Sequence, residues 1–133
     1  MPNSSRNDTL YIVAHSMGFA YSLGLSEVLV NKINFGGFYI IAPENARTGV
    51  VNAKLWQEVW QYGSKFTGLN PDPMCLQDGI APQSNVKGLN AYNIIHFPKE
   101  LDKKRGFSGS HFIGNYTWIF DLPQGTKGSV HAN

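Results

Sequence analysis

The sequence has few charged residues, a single cysteine and no apolar run long enough to cross a membrane. Charged residues make up 15% of the 133 residues, against about 25% in an average globular domain, while 42% are hydrophobic. This balance excludes an intrinsically disordered chain, which combines low hydrophobicity with high charge. Cys75 has no second cysteine to pair with inside the chain. The apolar runs are all far shorter than the roughly 18 residues of a membrane span.

The chain also lacks a concentrated basic surface and a cluster of metal ligands. Its net charge is only +2, which argues against nucleic acid, because phosphate binding needs many basic residues together. Four dispersed histidines and one cysteine do not make a zinc site, so we expect neither a metal nor a cofactor. Residues 1–9 are polar and lack the apolar stretch of a signal peptide, so the sequence assigns the protein to no particular cellular compartment.

Two continuous apolar runs, with a helical pattern between them, predict a strand–helix–strand unit. The runs are residues 10–14 (Leu-Tyr-Ile-Val-Ala) and 38–42 (Phe-Tyr-Ile-Ile-Ala), and residues 17–32 carry apolar side chains at helical spacing. Continuous rather than alternating runs are typical of strands covered on both faces in a parallel sheet. We therefore expect a single α/β domain over residues 1–133, with a parallel sheet flanked by helices and a disordered tail over 123–133.

Further elements are expected downstream of this unit. A second helix is predicted over residues 48–66, because four apolar residues recur there at spacings of four, three and four: Leu55, Val59, Tyr62 and Phe66. Trp56 and Trp60 lie beside this stripe, either as core residues or as a surface that another element covers. A strand is expected over 92–97, and the aromatic segment 112–120 is expected to be partly helical or extended.

The pentapeptide Ala14-His15-Ser16-Met17-Gly18 lies where the first strand passes into the helix. A small–x–Ser–x–Gly sequence at such a turn holds the serine in a strained conformation and lifts its hydroxyl clear of the sheet. The following backbone N–H lies at the helix N-terminus, where it stabilises developing negative charge. The pattern predicts a nucleophilic Ser16. The alternative is a tight turn whose serine caps the helix.

A nucleophilic serine needs a general base and a carboxylate that orients the base. His96 lies in an apolar run that favours a structural strand histidine, and His131 lies in the terminal tail. His111 lies in a Gly/Ser loop and is predicted to be the base, the alternative being an ordinary exposed histidine. Asp78 follows a short apolar piece and is predicted to be the orienting carboxylate at a strand's carboxyl end. Its alternative is a turn aspartate that caps Gly79.

These three segments resemble those of the α/β-hydrolase family, in its lipase and esterase members. Residues 14–18 are similar to the nucleophile elbow of that family, with alanine at the first position as in small bacterial lipases. Residues 78–82 (Asp-Gly-Ile-Ala-Pro) are similar to the segment with the acidic residue, and residues 110–114 (Ser-His-Phe-Ile-Gly) to the catalytic-histidine loop. The segments also occur in the family's order along the chain.

The resemblance implies a serine hydrolase that acts on carboxylic or lipid esters through an acyl-enzyme. Ser16 would be the nucleophile, His111 its general base and Asp78 the residue that orients the base. The backbone N–H of Met17 would be one donor of the oxyanion hole.

The family also places several strands before the elbow, and that early part supplies the second oxyanion donor. Only fifteen residues precede Ser16 here, so the resemblance implies that the N-terminal strands are absent from this chain. We expect a longer parent chain, a partner or an identical copy to complete the sheet. A different possibility is a non-catalytic hydrolase-like module that binds or assembles with another chain. A third is an effector domain that acts on lipid.

Overall fold

The computed structural model describes residues 7–43, 46, 49–63, 66–67, 70–71, 85–96 and 111–123. The elements in chain order are β1 Thr9–His15, α1 Gly18–Leu29, β2 Asn34–Ile41, a 3-10 helix Ala53–Leu55, β3 Glu58–Gly63, β4 Phe66–Thr67, β5 Asn70–Pro71, a 3-10 helix Ala91–Asn93, β6 Ile94–His96 and a 3-10 helix Ile113–Asp121.

Four of these strands form one parallel sheet in the order β1-β2-β3-β6. Within this sheet the strands therefore lie side by side in chain order, while the short β4 and β5, between β3 and β6 in the chain, form a separate antiparallel pair. The protein has the α/β architecture that the sequence predicts. Because the strands are parallel, their carboxyl ends, and the turns that follow them, lie at one edge of the sheet.

The strand–helix–strand unit at the start of the chain is confirmed. β1 pairs with β2 over nearly its whole length, with one irregularity in the register between Leu10 and Ile12. α1 ends with a hydrogen bond from the Val30 N–H to the Ser26 carbonyl at 3.0 Å, followed by Asn31 with a φ of 65°. Asparagine is one of the few residues that adopt this left-handed conformation readily, so Asn31 stops the helix and turns the chain toward β2.

The helix predicted over residues 48–66 is wrong. In the described part of that range, the structure has a 3-10 turn at Ala53–Leu55, followed by the strand β3. Val59 packs into the core on one face of the sheet, whereas Trp60 and Tyr62 pack on the other. A β-branched residue among aromatics favours a strand, and strand side chains alternate between faces. The four residues of the helical pattern thus belong to different elements. Leu55 lies before β3, Val59 and Tyr62 lie within it, and Phe66 lies after it, so their spacing does not reflect a helix.

The sheet carries one hydrophobic cluster on each face. On the first face, α1 and residues 50–56 cover the sheet, and Trp56 contacts Phe35 and Phe38 with ring centroids 4.7 and 4.9 Å away. On the second face, the 3-10 helix Ile113–Asp121 packs on the aromatic side chains of β2 and β3. Trp56 and Trp60 are both buried, so each is a core residue of this chain.

The strand expected over residues 92–97 is present in shortened form as β6, which a 3-10 turn precedes. The aromatic segment 112–120 is largely a 3-10 helix, Ile113–Asp121, and Phe112 before it is extended. Within the part of the chain that the structure describes, no helix has both the length and the apolar character needed to cross a membrane.

Candidate functional site

Ser16 lies in the turn between β1 and α1 and has a φ of 55°. A non-glycine residue in this left-handed region costs roughly 1–2 kcal/mol, so the surrounding structure must hold it there. The Ser16 N–H donates to the Ile41 carbonyl at 3.1 Å, and the Ser16 carbonyl accepts from the Phe19 N–H at 3.2 Å. These bonds anchor the turn to the end of β2 and to the first turn of α1. The backbone at Ser16 thus has the strained geometry that the motif predicts.

The interpretation of Ser16 as a helix cap does not fit this geometry. The N-cap residue of α1 is Met17, and no side-chain hydrogen bond caps this helix in the described structure. The Met17 side chain is 69% exposed, so the turn lies at the surface. The N-terminus of a helix carries a partial positive charge, which favours an anion beside this turn.

His111 lies next to this turn. The Nε2 atom of His15 is 2.6 Å from the carbonyl oxygen of His111, and the two imidazole centroids are 5.0 Å apart at an interplanar angle of 59°. Because His15 directly precedes Ser16, the structure brings the predicted nucleophile and the predicted base to the same end of β1. Both residues are partly exposed.

The 3-10 helix Ile113–Asp121 places His111 at this position. Tyr116 and Ile119 are fully buried on the second face of the sheet, and Trp118 meets Tyr62 edge-on with ring centroids 6.0 Å apart. The indole N–H of Trp118 also donates to the Asn115 carbonyl at 3.0 Å. His111 therefore lies two residues before an anchored helix, which fixes the chain on its C-terminal side.

The third predicted member of the site, Asp78, lies outside the described residues, as do His131 and Cys75. The role of Asp78 stays a prediction. His96 is the last residue of β6 and pairs with Gly63 of β3, so its placement in a strand is confirmed.

Sequence reasoning missed His15. This residue lies inside the elbow pentapeptide at the last position of β1, and the structure makes it the contact between the elbow and the His111 loop. A polar ring at the carboxyl end of a buried strand, directly beside a predicted nucleophile, was the available signal.

A buried carboxylate on the second face of the sheet was also missed. Glu58 is 9% exposed and accepts hydrogen bonds from the Tyr39 hydroxyl at 2.5 Å and the Trp60 indole N–H at 3.0 Å. Burial raises the pKa of the Tyr39 phenol. The hydrogen bond to Glu58 and the negative charge of Glu58 raise this pKa further. The pKa of Tyr62 is raised as well, first by burial and then by the charge of Glu58.

We also examined the described residues for a ligand-sized cleft and for a group of metal ligands. A cleft of about 290 Å³ lies between α1 and residues 50–56, and its lining includes Leu23, Phe38 and Trp56 but no residue of the elbow. Among the described residues, no group of three or more His, Cys, Asp or Glu side chains could hold a metal ion.

Comparison with known proteins identifies no relative of this chain. No protein-family model, curated protein or solved structure matches the chain.

Proposed function

We propose that the protein is a serine hydrolase that cleaves carboxylic esters through an acyl-enzyme on Ser16. The observation that carries this proposal is the left-handed Ser16 at the β1–α1 turn, with His111 beside it through the contact to His15. A strained serine at a strand-to-helix turn, with a histidine on a loop at the same sheet edge, is the arrangement of an α/β-hydrolase elbow.

The order of the strands supports the same proposal. The predicted nucleophile follows β1, and β2, β3 and β6 follow it in the sheet one after another. His111 comes after the last of these strands along the chain and returns to the end of the first. A general base on a loop after the last strand, next to a serine after an earlier one, fits the Ser–acid–His order of this fold.

In the proposed reaction, the His111 imidazole takes the proton from the Ser16 hydroxyl as its oxygen attacks the ester carbonyl carbon. The Met17 N–H donates to the oxyanion that forms, and His111 returns the proton to the leaving alcohol. Water then attacks the acyl-enzyme with His111 again as base, which releases the acid and regenerates Ser16. Asp78 would hold the imidazole in the tautomer that accepts the serine proton.

An activity-based fluorophosphonate probe tests this proposal. The probe should label the wild-type chain on Ser16, as peptide mass spectrometry would show, and Ser16→Ala should abolish the labelling. His111→Ala should slow it by about 10²–10⁴-fold, the usual contribution of a general base.

Two variants control for the chemistry of the residue types. Ser22→Ala removes a buried serine of α1, and His96→Ala removes a strand histidine, so both should label at the wild-type rate. If the folded wild-type chain shows neither labelling nor ester hydrolysis, the proposal fails.

A second candidate function, assembly with another chain, is favoured by the surface of β1. β1 is an edge strand of the four-stranded sheet in the described ranges, and on the second face its Tyr11 and Val13 side chains are 53% and 45% exposed. Large apolar side chains on an open sheet edge are typical of a surface that another element covers. A partner chain or a second copy would supply the rest of the sheet, whether or not the elbow is catalytic.

Sedimentation velocity tests the self-association form of this candidate. We expect concentration-dependent dimers that Val13→Lys disrupts, and Val28→Lys, on the exposed face of α1, should leave them unchanged. A monomer at every concentration would contradict self-association.

A further inference from the structure

His15 is the side chain that joins the elbow to the loop of the predicted base. It is the last residue of β1, it pairs with Ile41 in the sheet, and it directly precedes Ser16. Its Nε2 atom lies 2.6 Å from the carbonyl oxygen of His111. A carbonyl oxygen can only accept, so Nε2 carries the proton of this hydrogen bond.

We propose that His15 is a positioning residue for ester hydrolysis, which ties the backbone of His111 to the elbow and so fixes the base relative to Ser16. The inference rests on the proposed function and extends it to a residue that neither binds the substrate nor transfers the proton. Nε2–H of His15 points at the carbonyl of His111, so this ring nitrogen is not available to accept the serine proton.

The geometry explains why this bond matters. On one side, His111 is fixed by the anchored 3-10 helix Ile113–Asp121 that follows it. On the other side, His15 is fixed in the sheet, and the Ser16 N–H holds the same strand end through its bond to the Ile41 carbonyl. The bond from His15 therefore links the end of β1, directly before Ser16, to the segment that carries the predicted base. A misplacement of about 1 Å at a reacting centre can cost about 10²-fold in rate.

The covalent structure of the side chains provides a matched set of variants. The amide nitrogen of glutamine is the same number of bonds from Cβ as Nε2 of histidine, whereas that of asparagine is one bond closer. His15→Gln keeps a donor at the right reach, His15→Asn keeps a donor at the wrong reach, and His15→Phe keeps only the ring.

The experiment measures the rate constant of labelling (kinact) and the affinity (KI) of a fluorophosphonate probe on the full chain. We expect His15→Phe and His15→Asn to lower kinact by about 10- to 100-fold with KI unchanged, and His15→Gln to stay within about threefold of the wild type. A purely structural role would reduce the fraction of chains that react, which is the amplitude of labelling, and would leave kinact of the folded fraction unchanged.

The outcomes separate this inference from the proposed function. If the wild type is labelled and all three variants react with the wild-type kinact, the positioning role is overturned while the hydrolase stands. If the folded wild type is not labelled, both fail. Nitrogen-15 spectra of the wild type give a test that needs no variant to fold: His15 should carry its proton on Nε2, and an Nδ1–H tautomer would overturn the inference.

Discussion

The hydroxyl of Tyr39 donates a 2.5 Å hydrogen bond to Glu58, and both side chains are buried on neighbouring strands of the sheet. The second carboxylate oxygen accepts from the Trp60 indole at 3.0 Å. A buried carboxylate is tolerated where each oxygen has a donor, so these three side chains stabilise the fold only as a set.

Glu58→Ala should therefore destabilise the protein strongly. It leaves two buried donors without their acceptor, and we expect the free energy of unfolding to fall by about 3 kcal/mol. Glu58→Gln, which keeps an acceptor for one of them, should cost less. Urea denaturation measures both against Glu27→Ala on the exposed face of α1, which should change stability by less than about 0.5 kcal/mol. Equal stability of Glu58→Ala and Glu27→Ala would refute the cooperative role of this set.

Alkaline pH should destabilise the protein through Tyr39 and Tyr62. Their pKa values are raised above the ordinary value of 10.0 in the folded protein, so the unfolded chain releases these protons first. Stability is therefore fully present below pH 10 and falls above it, by about 1.4 kcal/mol per pH unit for each tyrosine until its folded pKa is reached. Urea denaturation between pH 8 and 11 (roughly the window that brackets the unfolded pKa) should show this loss.

Substitution by phenylalanine identifies the groups responsible for this pH dependence. Tyr39→Phe and Tyr62→Phe should each flatten the alkaline slope, whereas Tyr92→Phe, at an exposed position, should not. An unchanged slope in the double variant would assign the alkaline loss to other groups.

The strain at Ser16 should appear as a difference between two small replacements. Glycine adopts a positive φ without cost and alanine does not, so Ser16→Gly should be more stable than Ser16→Ala by about 1 kcal/mol. At Ser22, in the middle of α1, the order should reverse, because glycine is about 1 kcal/mol worse than alanine in a helix. Thermal denaturation of the four variants makes the comparison. The same order at both positions would mean that the turn does not hold Ser16 in the left-handed region in solution.

Gln61 should control the attachment of residues 85–90 to the sheet. Its side chain is 3% exposed, and Oε1 accepts from the Val86 N–H at 2.8 Å. Gln61→Leu removes this acceptor at similar volume, so the Val86 amide should lose protection in hydrogen exchange and stability should fall by about 1–3 kcal/mol. The amide of Val51, which donates to the Lys87 carbonyl at 2.9 Å, reports whether the whole segment detaches. Unchanged protection at Val86 would refute this attachment.

The start of the fold could be predicted from the sequence because its local signals agree. The apolar runs of β1 and β2 are continuous, and the segment between them has helical spacing and an asparagine at its end. The β3 region could not, since its helical spacing and its strand-favouring residues conflict. Only the tertiary structure, which provides a sheet face on each side of Val59 and Trp60, decides between the two.

The candidate site, like the fold, could be predicted only in part. Ser16 follows from a local motif, and His111 from its loop and its order in the chain. The bond between His15 and the His111 backbone joins residues 96 positions apart, and no local pattern encodes it. The burial of Glu58 also depends on partners from other positions, since a glutamate in sequence looks like a solvent-exposed residue.

The sheet order β1-β2-β3-β6 means that position in the chain and position across the sheet increase together. Among the described strands of this sheet, none has to insert between two earlier ones, so a nascent chain can complete each strand pair before the next strand leaves the ribosome. Early registration of β1 with β2 also brings Ser16 and Ile41 together, so the elbow can take its shape on the first pair. The bond to His111 needs residues that follow all four of these strands in the chain, so the proposed hydrolase would gain its base after the sheet has formed.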